Sequence, residues 1–255
     1  MKYHLITELT KRDFVERFSG SILGFSWLFI WPIINISIYI LVFGKLIGAR
    51  LPNIDSTFAY GIYLVSGLLP WLAFSNTVVR ITTVFVDKKP IISKIKVNLL
   101  SFPIYIVLSE SIVFLISMLM FCCFYLVLDF PALEFLYILP FVFIVQQLFA
   151  YALGLIFAML FVFVRDIREF VGVLIQVWFW LTPIVYTVDI LPQWVAVLVQ
   201  FNPAYVFVGA YQNIILLNST PNFHSLFLLA GLCLIVIVFA RKFCYKLEKD
   251  IRDTI

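Results

Sequence analysis

Charged residues divide this chain into long apolar blocks. Phe18–Gly44, Ser56–Val79, Ser111–Leu128 and Phe135–Val164 contain no Asp, Glu, Lys or Arg, and Ile190–Ala240 runs 51 residues without one. A helix of about 20 apolar residues crosses the ~30 Å hydrocarbon core of a bilayer. The blocks predict six membrane-spanning helices, over Ile22–Leu46, Phe58–Val86, Leu100–Leu128, Phe135–Val164, Phe170–Tyr186 and Leu226–Phe243. The fold class that follows is an all-α integral membrane protein, with one transmembrane domain over residues 1–255.

Two segments depart from simple spans. The stretch Asp189–His224 is apolar, carries only Asp189 as a charge, and is interrupted by Pro192, Pro203 and Pro221. A solvated loop with that much apolar surface costs heavily in water. It predicts two half-helices that enter the outer leaflet and turn back, shielded by protein, and that cap a pathway on the external side. This gate region covers residues 188–223, with Pro192, Trp194, Asn202, Pro203 and Tyr211 as its candidate residues. Residues 1–20 predict a helix lying on the membrane surface. Leu5, Ile6 and Leu9 share one face and Phe14 and Phe18 nearly the opposite one, which points to two contact partners. A break near Thr10 is the alternative reading of that pattern.

The cations orient the bundle. With both termini in the cytoplasm, 16 of the 18 Lys and Arg fall inside, among them Arg12, Arg17, Arg80, Lys88, Lys89, Lys94, Lys96, Arg165 and the tail over 241–255; only Lys45 and Arg50 fall outside. Inverting the layout or dropping one span destroys this asymmetry. No apolar signal-peptide core precedes the first span. The overall figures, 64% hydrophobic and 13% charged, leave too little polar surface for a soluble fold.

Within the spans, Glu110 is the only acid well inside, and Arg80 lies about as far into the preceding helix, both ~10–15 Å deep at ~1.5 Å per residue. Such charges need partners in lipid, so Arg80 and Glu110 are expected to pair. An ion relay and a substrate contact are the other readings. The loop Asp87-Lys88-Lys89-Pro90-Ile91-Ile92-Ser93-Lys94-Ile95-Lys96, within a coupling segment over 87–97, mixes four lysines with three isoleucines. Pro90 suits the first turn of a short helix. The lysines satisfy the orientation rule by themselves, whereas exposed isoleucines favour docking into a groove on a cytoplasmic partner. Trp27, Trp31, Tyr39 and Phe43 recur at multiples of four along the first span, and Trp178, Trp180 and Tyr186 mark the fifth. Belt or core is their ordinary role. A broad aromatic stripe also suits a sugar-conducting channel, because ring faces stack on pyranoses without tight binding.

Chemistry of the chain's own is not visible. Cys122, Cys123, Cys233 and Cys244 lack metal-ligand spacing, and His4 and His224 are isolated. Gly44-Lys45 has neither the upstream Gly nor the following Ser or Thr of a phosphate loop, so no ATP hydrolysis is expected from this chain. A membrane glycosyltransferase would need clustered acids, whereas the external Asp55, Asp129, Glu134 and Asp189 are scattered.

Several segments, in order along nearly the whole chain, resemble one family. They are Arg17-Phe18-Ser19-Gly20-Ser21-Ile22-Leu23-Gly24-Phe25-Ser26-Trp27 with Pro32, Ser66-Gly67-Leu68-Leu69-Pro70-Trp71, Phe161-Val162-Phe163-Val164-Arg165-Asp166-Ile167, Thr182-Pro183-Ile184-Val185-Tyr186, and Asn202-Pro203. The chain is similar to permease subunits of ABC exporters for cell-surface polysaccharides, the group that includes O-antigen, capsule and teichoic acid exporters. Phe18 stands where Tyr is common. The resemblance implies a homodimer in the bacterial inner membrane, bound to two copies of a separate ATPase that carries the ATP and Mg, with no cofactor in this chain. It implies ATPase contacts through the N-terminal helix and Asp87–Lys96, a periplasmic gate over Ile190–Leu216, and a polysaccharide on undecaprenyl diphosphate as substrate. A diphosphate calls for cations, and the candidates are Arg17, Arg12 and Arg165. A drug or lipid exporter of the same architecture is the alternative.

Overall fold

A computed structural model describes residues 2–46, 57–94, 98–128, 130 and 134–254. Among them every regular element is helical. Helix α1 (Lys2–Phe18) is followed by a 3-10 turn (Gly24–Ser26), α2 (Trp27–Tyr39) and a π-helical stretch (Ile40–Leu46). The other α-helices are α3 (Ala59–Asp87), α4 (Lys89–Ile92), α5 (Ser101–Val127), α6 (Leu139–Phe163), α7 (Ile167–Leu181), α8 (Gln193–Gln200), α9 (Pro203–Ile215) and α10 (Phe223–Thr254), with 3-10 turns at Leu136–Ile138 and Val188–Ile190. Five stretches are long and apolar enough to cross a membrane: Gly24–Gly44, Ala59–Asp87, Ser101–Val127, Leu136–Phe163 and Phe223–Thr254. The candidate residues Arg50, Asp55, Ile95, Lys96 and Asp129, and the side chain of Lys45, lie outside the described residues.

Helix α3 is the axis of the bundle and packs on α5, α6, α7 and α9. Lipid tails are as apolar as leucine, so close packing rather than water exclusion holds such helices together. Small residues therefore sit where axes approach. An ideal Cβ on Gly154 of α6 would lie 2.7 Å from Cβ of Ile81 on α3, and one on Gly67 of α3 would lie 2.7 Å from Nε2 of Gln212 on α9. Aromatic rings fill the level between: Phe74, Phe149, Trp178 and Phe207 form one cluster with centroids 5.3–6.5 Å apart.

The fifth predicted span, Phe170–Tyr186, differs from the structure. Helix α7 ends at Leu181, and its 15 residues reach about 22 Å, less than the hydrocarbon core. Pro183 is the cause, because the residue before proline is pushed out of helical geometry and Thr182 is extended at φ −106°, ψ 128°. Residues 182–186 continue as a bent, non-helical segment. Bare carbonyls among apolar helices need protein partners, and they have them. Gln212 Nε2 donates to the Pro183 carbonyl at 3.1 Å, Tyr63 Oη lies 3.0 Å from the Tyr186 carbonyl, and Tyr60 donates to that of Val185.

Helices α8 and α9 meet at 96°. Asn202 sets the corner: its Oδ1 caps α9 by accepting from Ala204 N at 3.0 Å, and Pro203 fills the first helical position, where no N–H is needed. The same Oδ1 accepts from Trp178 Nε1 at 2.8 Å, while Nδ2 donates to Thr182 Oγ1 and the Leu181 carbonyl. The pair is asymmetric. Helix α9 is buried in the bundle, with Tyr211 fully enclosed, whereas Trp194 of α8 is 70% exposed.

Substituting Gln212→Leu strips the Pro183 carbonyl of a buried donor and should destabilise the folded chain by about 1–3 kcal/mol. The expected reading is a lower thermal midpoint in detergent micelles, with Gly172→Ala, where an added Cβ meets nothing within 4 Å, as the neutral control.

Candidate functional site

Helix α1 is continuous from Lys2 to Phe18, so the break near Thr10 does not occur. Leu5, Ile6 and Leu9 pack into a cluster with Leu99, Leu100, Phe102 and Tyr105, which seats α1 across the start of α5. One helical turn further on, α1 turns two charges toward the bundle. Asp13 accepts from Arg80 Nη2 and from Ser109 Oγ. Arg17 Nη2 lies 2.5 Å from Glu110 Oε1 and 3.6 Å from Asp13 Oδ2, and Arg80 Nη1 lies 2.6 Å from the same Glu110 oxygen. Two carboxylates and two guanidiniums from α1, α3 and α5 thus form one network with no net formal charge. Glu110 is 2% exposed.

Direct contact of Asp13 and Arg17 with the Arg80–Glu110 pair brings the C-terminal half of α1 onto the network. The pairing partners that sequence reasoning missed are Asp13 and Arg17; their signal was position, since they continue the four-residue spacing of Leu5 and Leu9 along one face of α1.

Directly beside the network lies a cavity of about 630 Å³ between α2 and the α3–α5 face. Arg17 and Glu110 line one part, Trp27, Trp31 and Asn35 of α2 a second, and Asn76, Phe114 and Ser117 the far wall. Pro32 lines it as well, and a proline inside α2 leaves the Leu28 carbonyl without its helical donor. Trp27 Nε1 is held by Ser21 Oγ at 3.1 Å. The Arg17 side chain is 28% exposed, and among the described residues only its Nη2 is engaged. Its Nε and Nη1 donors remain for an oxyanion, a use for which the planar guanidinium is suited.

The other candidate residues are dispersed. Arg12 lies outside the cavity and pairs with Glu16 at 2.5 Å. Arg165 sits at the α6–α7 turn over the Phe161 ring at 5.3 Å. Tyr39 and Phe43 form a ring chain with Tyr60 and Tyr63. Trp178 is in the aromatic cluster, Trp180 is exposed, and Tyr186 Oη donates to the Trp180 carbonyl at 2.8 Å. Of the seven candidate channel aromatics, Trp27 and Trp31 line the cavity.

The coupling segment turns partly inward. Asp87 accepts from Thr83 Oγ1 at 2.6 Å, while Lys89 and Lys94 are exposed. Ile92, expected to be exposed for docking, is buried instead, because α10 runs 32 residues and its end packs there: Ile251 joins the same cluster and Arg252 Nη1 donates to the Ile92 carbonyl at 2.9 Å. Ile91 is half-buried. Lys88 Nζ lies 3.3 Å from Glu16 Oε2, tying this turn to α1. Arg12, assisted by Lys88, holds the Glu16 carboxyl below the usual carboxylate range against the opposing effect of desolvation. That tie is present above the ordinary carboxylate pKa and is lost as pH falls through the lowered one.

Five helices long and apolar enough to cross a membrane, with a cavity open at one side beside a paired-charge network, are the framework of a multi-pass membrane protein. The family model of the ABC-2 type transporter matches residues 4–216, and the chain belongs to this family of membrane transport subunits. It is also similar to the O-antigen export system permease protein RfbA of Klebsiella pneumoniae, 26% identical over 238 residues that cover 92% of this chain and 89% of the relative. The protein of the same description from Myxococcus xanthus is 26% identical over 236 residues, covering 91% and 88%.

Breaking one side of a buried ion pair strands its partner, at a cost of about 3–5 kcal/mol. Arg80→Met should therefore sharply lower thermal stability in detergent, and adding Glu110→Leu should recover part of the loss. Strict additivity in that double-mutant cycle would show that the two side chains are uncoupled.

Proposed function

We propose that this chain is the permease subunit of an ATP-driven exporter that moves a polysaccharide linked to a lipid diphosphate, of the O-antigen kind, from cytoplasm to periplasm. The observation that carries this reading is Arg17, which faces a 630 Å³ cavity with donors to spare beside Trp27 and Trp31. A guanidinium offers paired donors to phosphate oxygens. Indole faces beside it can carry sugar rings by stacking. The names of the relatives, matched over about nine-tenths of this chain, supply the class of cargo.

In this reading two copies of the chain assemble in the bacterial inner membrane with both termini cytoplasmic, and two copies of a separate ATPase bind below. The ATPase would engage α1 and the exposed Lys89 and Lys94, with Ile91 at the edge of the contact. Any movement there reaches Arg17 through one rigid helix, because Glu16 holds Lys88 while Asp13 and Arg17 hold Arg80 and Glu110. Helices α8 and α9 form the periplasmic cap, in which Asn202 joins the corner to α7 and exposed Trp194 faces outward.

The test uses the permease purified together with its ATPase. Lipid-linked glycan should stimulate hydrolysis, and Arg17→Ala should reduce that stimulation about tenfold, the scale of one charged hydrogen bond, while the complex stays assembled on gel filtration. Loss of assembly would reassign Arg17 to holding α1. Stimulation by drugs or simple lipids, and not by glycan, would replace the polysaccharide reading.

A further inference from the structure

Helix α4 is four residues long, and a helix that short is not stable by itself. Other elements hold it. At its start, Lys88 Nζ lies 3.3 Å from Glu16 Oε2 of α1 and 5.8 Å from the centre of the Tyr105 ring of α5. Beyond it, the contacts come from the C-terminal end of α10. Tyr245 Oη accepts from Asn98 Nδ2 at 3.0 Å, and Asn98 Oδ1 accepts from Leu100 N at 3.0 Å. About two turns further along α10, Arg252 Nη1 donates to the Ile92 carbonyl at 2.9 Å. The last carbonyls of a helix lack donors within the helix, and a basic side chain can supply one. Glu248 aims that guanidinium, because its Oε1 accepts from Arg252 Nε at 3.1 Å and from Nη2 at 2.9 Å. Ile251, beside Arg252, is 0% exposed and packs in one cluster with Ile92.

Helix α10 is a fixed support for these contacts. Leu226, Leu229 and Cys233 share a cluster with Tyr211 and Ile214 of α9, while Ala240 and Cys244 share another with Ile81 and Phe85 of α3. One continuous helix therefore joins the packed bundle to the α4 turn. The contacts to α4 use the Ile92 side chain and backbone, and they leave Lys89 and Lys94 exposed.

We infer that Arg252 is a positioning residue: with Glu248 and Ile251 it clamps α4 to α10, so that Lys89 and Lys94 are presented to the ATPase in one pose. The inference rests on the export reading for its partner, since that reading brings α4 to the ATPase. A docking element ordered beforehand binds without the cost of ordering it, whereas one ordered only part of the time binds more weakly by that fraction.

Hydrogen exchange of the full-length chain in detergent tests the clamp without any partner. Arg252→Ala should speed exchange of the Ile92, Ser93 and Lys94 N–H groups about tenfold, the scale of one charged hydrogen bond, with the thermal midpoint unchanged. Unchanged exchange would overturn the clamp. Glu248→Ala, at a partly exposed side chain, keeps the cation but not its aim and should speed the same exchange about threefold. Should Arg252→Ala fail to fold, unchanged exchange in Glu248→Ala decides against the clamp. The second arm measures the affinity of the purified ATPase for the permease. Arg252→Ala should weaken it about fivefold, and Arg252→Lys, which keeps a cationic donor for the Ile92 carbonyl, should restore most of it. Faster exchange with unaltered affinity would overturn the positioning role. No binding of the ATPase by the unaltered permease would overturn the ATPase contact and the positioning role together, and the exchange result would still decide the clamp.

Discussion

Two carboxylates and two guanidiniums, largely shielded from water and with no net charge between them, organise one end of this bundle. Each side chain is tolerable there only because the others are present. Asp13 and Arg17 come from a helix that lies outside the spans, Arg80 and Glu110 from two helices inside them. The network thus seats α1 against the bundle in one register. It also floors the cavity, since Arg17 spends a single nitrogen on Glu110 and turns the rest of its guanidinium toward the space beside Trp27 and Trp31. In the proposed reading, an anion arriving there would meet a cation whose position is already fixed, so little ordering cost would fall on binding.

The same demand for satisfied polar groups shapes the opposite half of the bundle. Irregular backbone within a membrane survives only where protein completes its hydrogen bonds. The irregular stretch after α7 meets that condition through Tyr60, Tyr63 and Gln212, and the corner between α8 and α9 meets it through Asn202. These side chains hold the end of α7 and a sharply bent helix pair as one unit. That construction leaves α9 packed among the spans and α8 largely on the surface.

Much of this was legible in the amino-acid order. Long charge-free blocks gave the five helices long and apolar enough to cross a membrane, and two charges inside them, Arg80 and Glu110, stood out as needing company. The roles of Asp13 and Ser109 were not legible, because Asp13 reads as one more charge of a polar helix, Ser109 as one small hydroxyl in an apolar run, and the two meet only across helices. Ile92 misled for the same reason. Its neighbours in sequence are lysines, but its neighbour in space is Ile251, 159 positions away along the chain. Gln147 was equally silent: one amide in an apolar run has no periodic signature, and only the packed helices show that it is buried without a hydrogen-bond partner among the described residues.

Local physics therefore determined which stretches enter the membrane, where Pro183 and Pro203 end or begin helices, and that no phosphate loop lies in this chain. Those properties depend on residues within a few positions of one another. Which cation faces the cavity, which carbonyls are rescued and which apolar residues remain for other molecules depended on side chains tens of residues apart meeting at short range. Electrostatic and hydrogen-bond energies fall steeply with distance and with water access, so they are settled by the packing of helices rather than by their order.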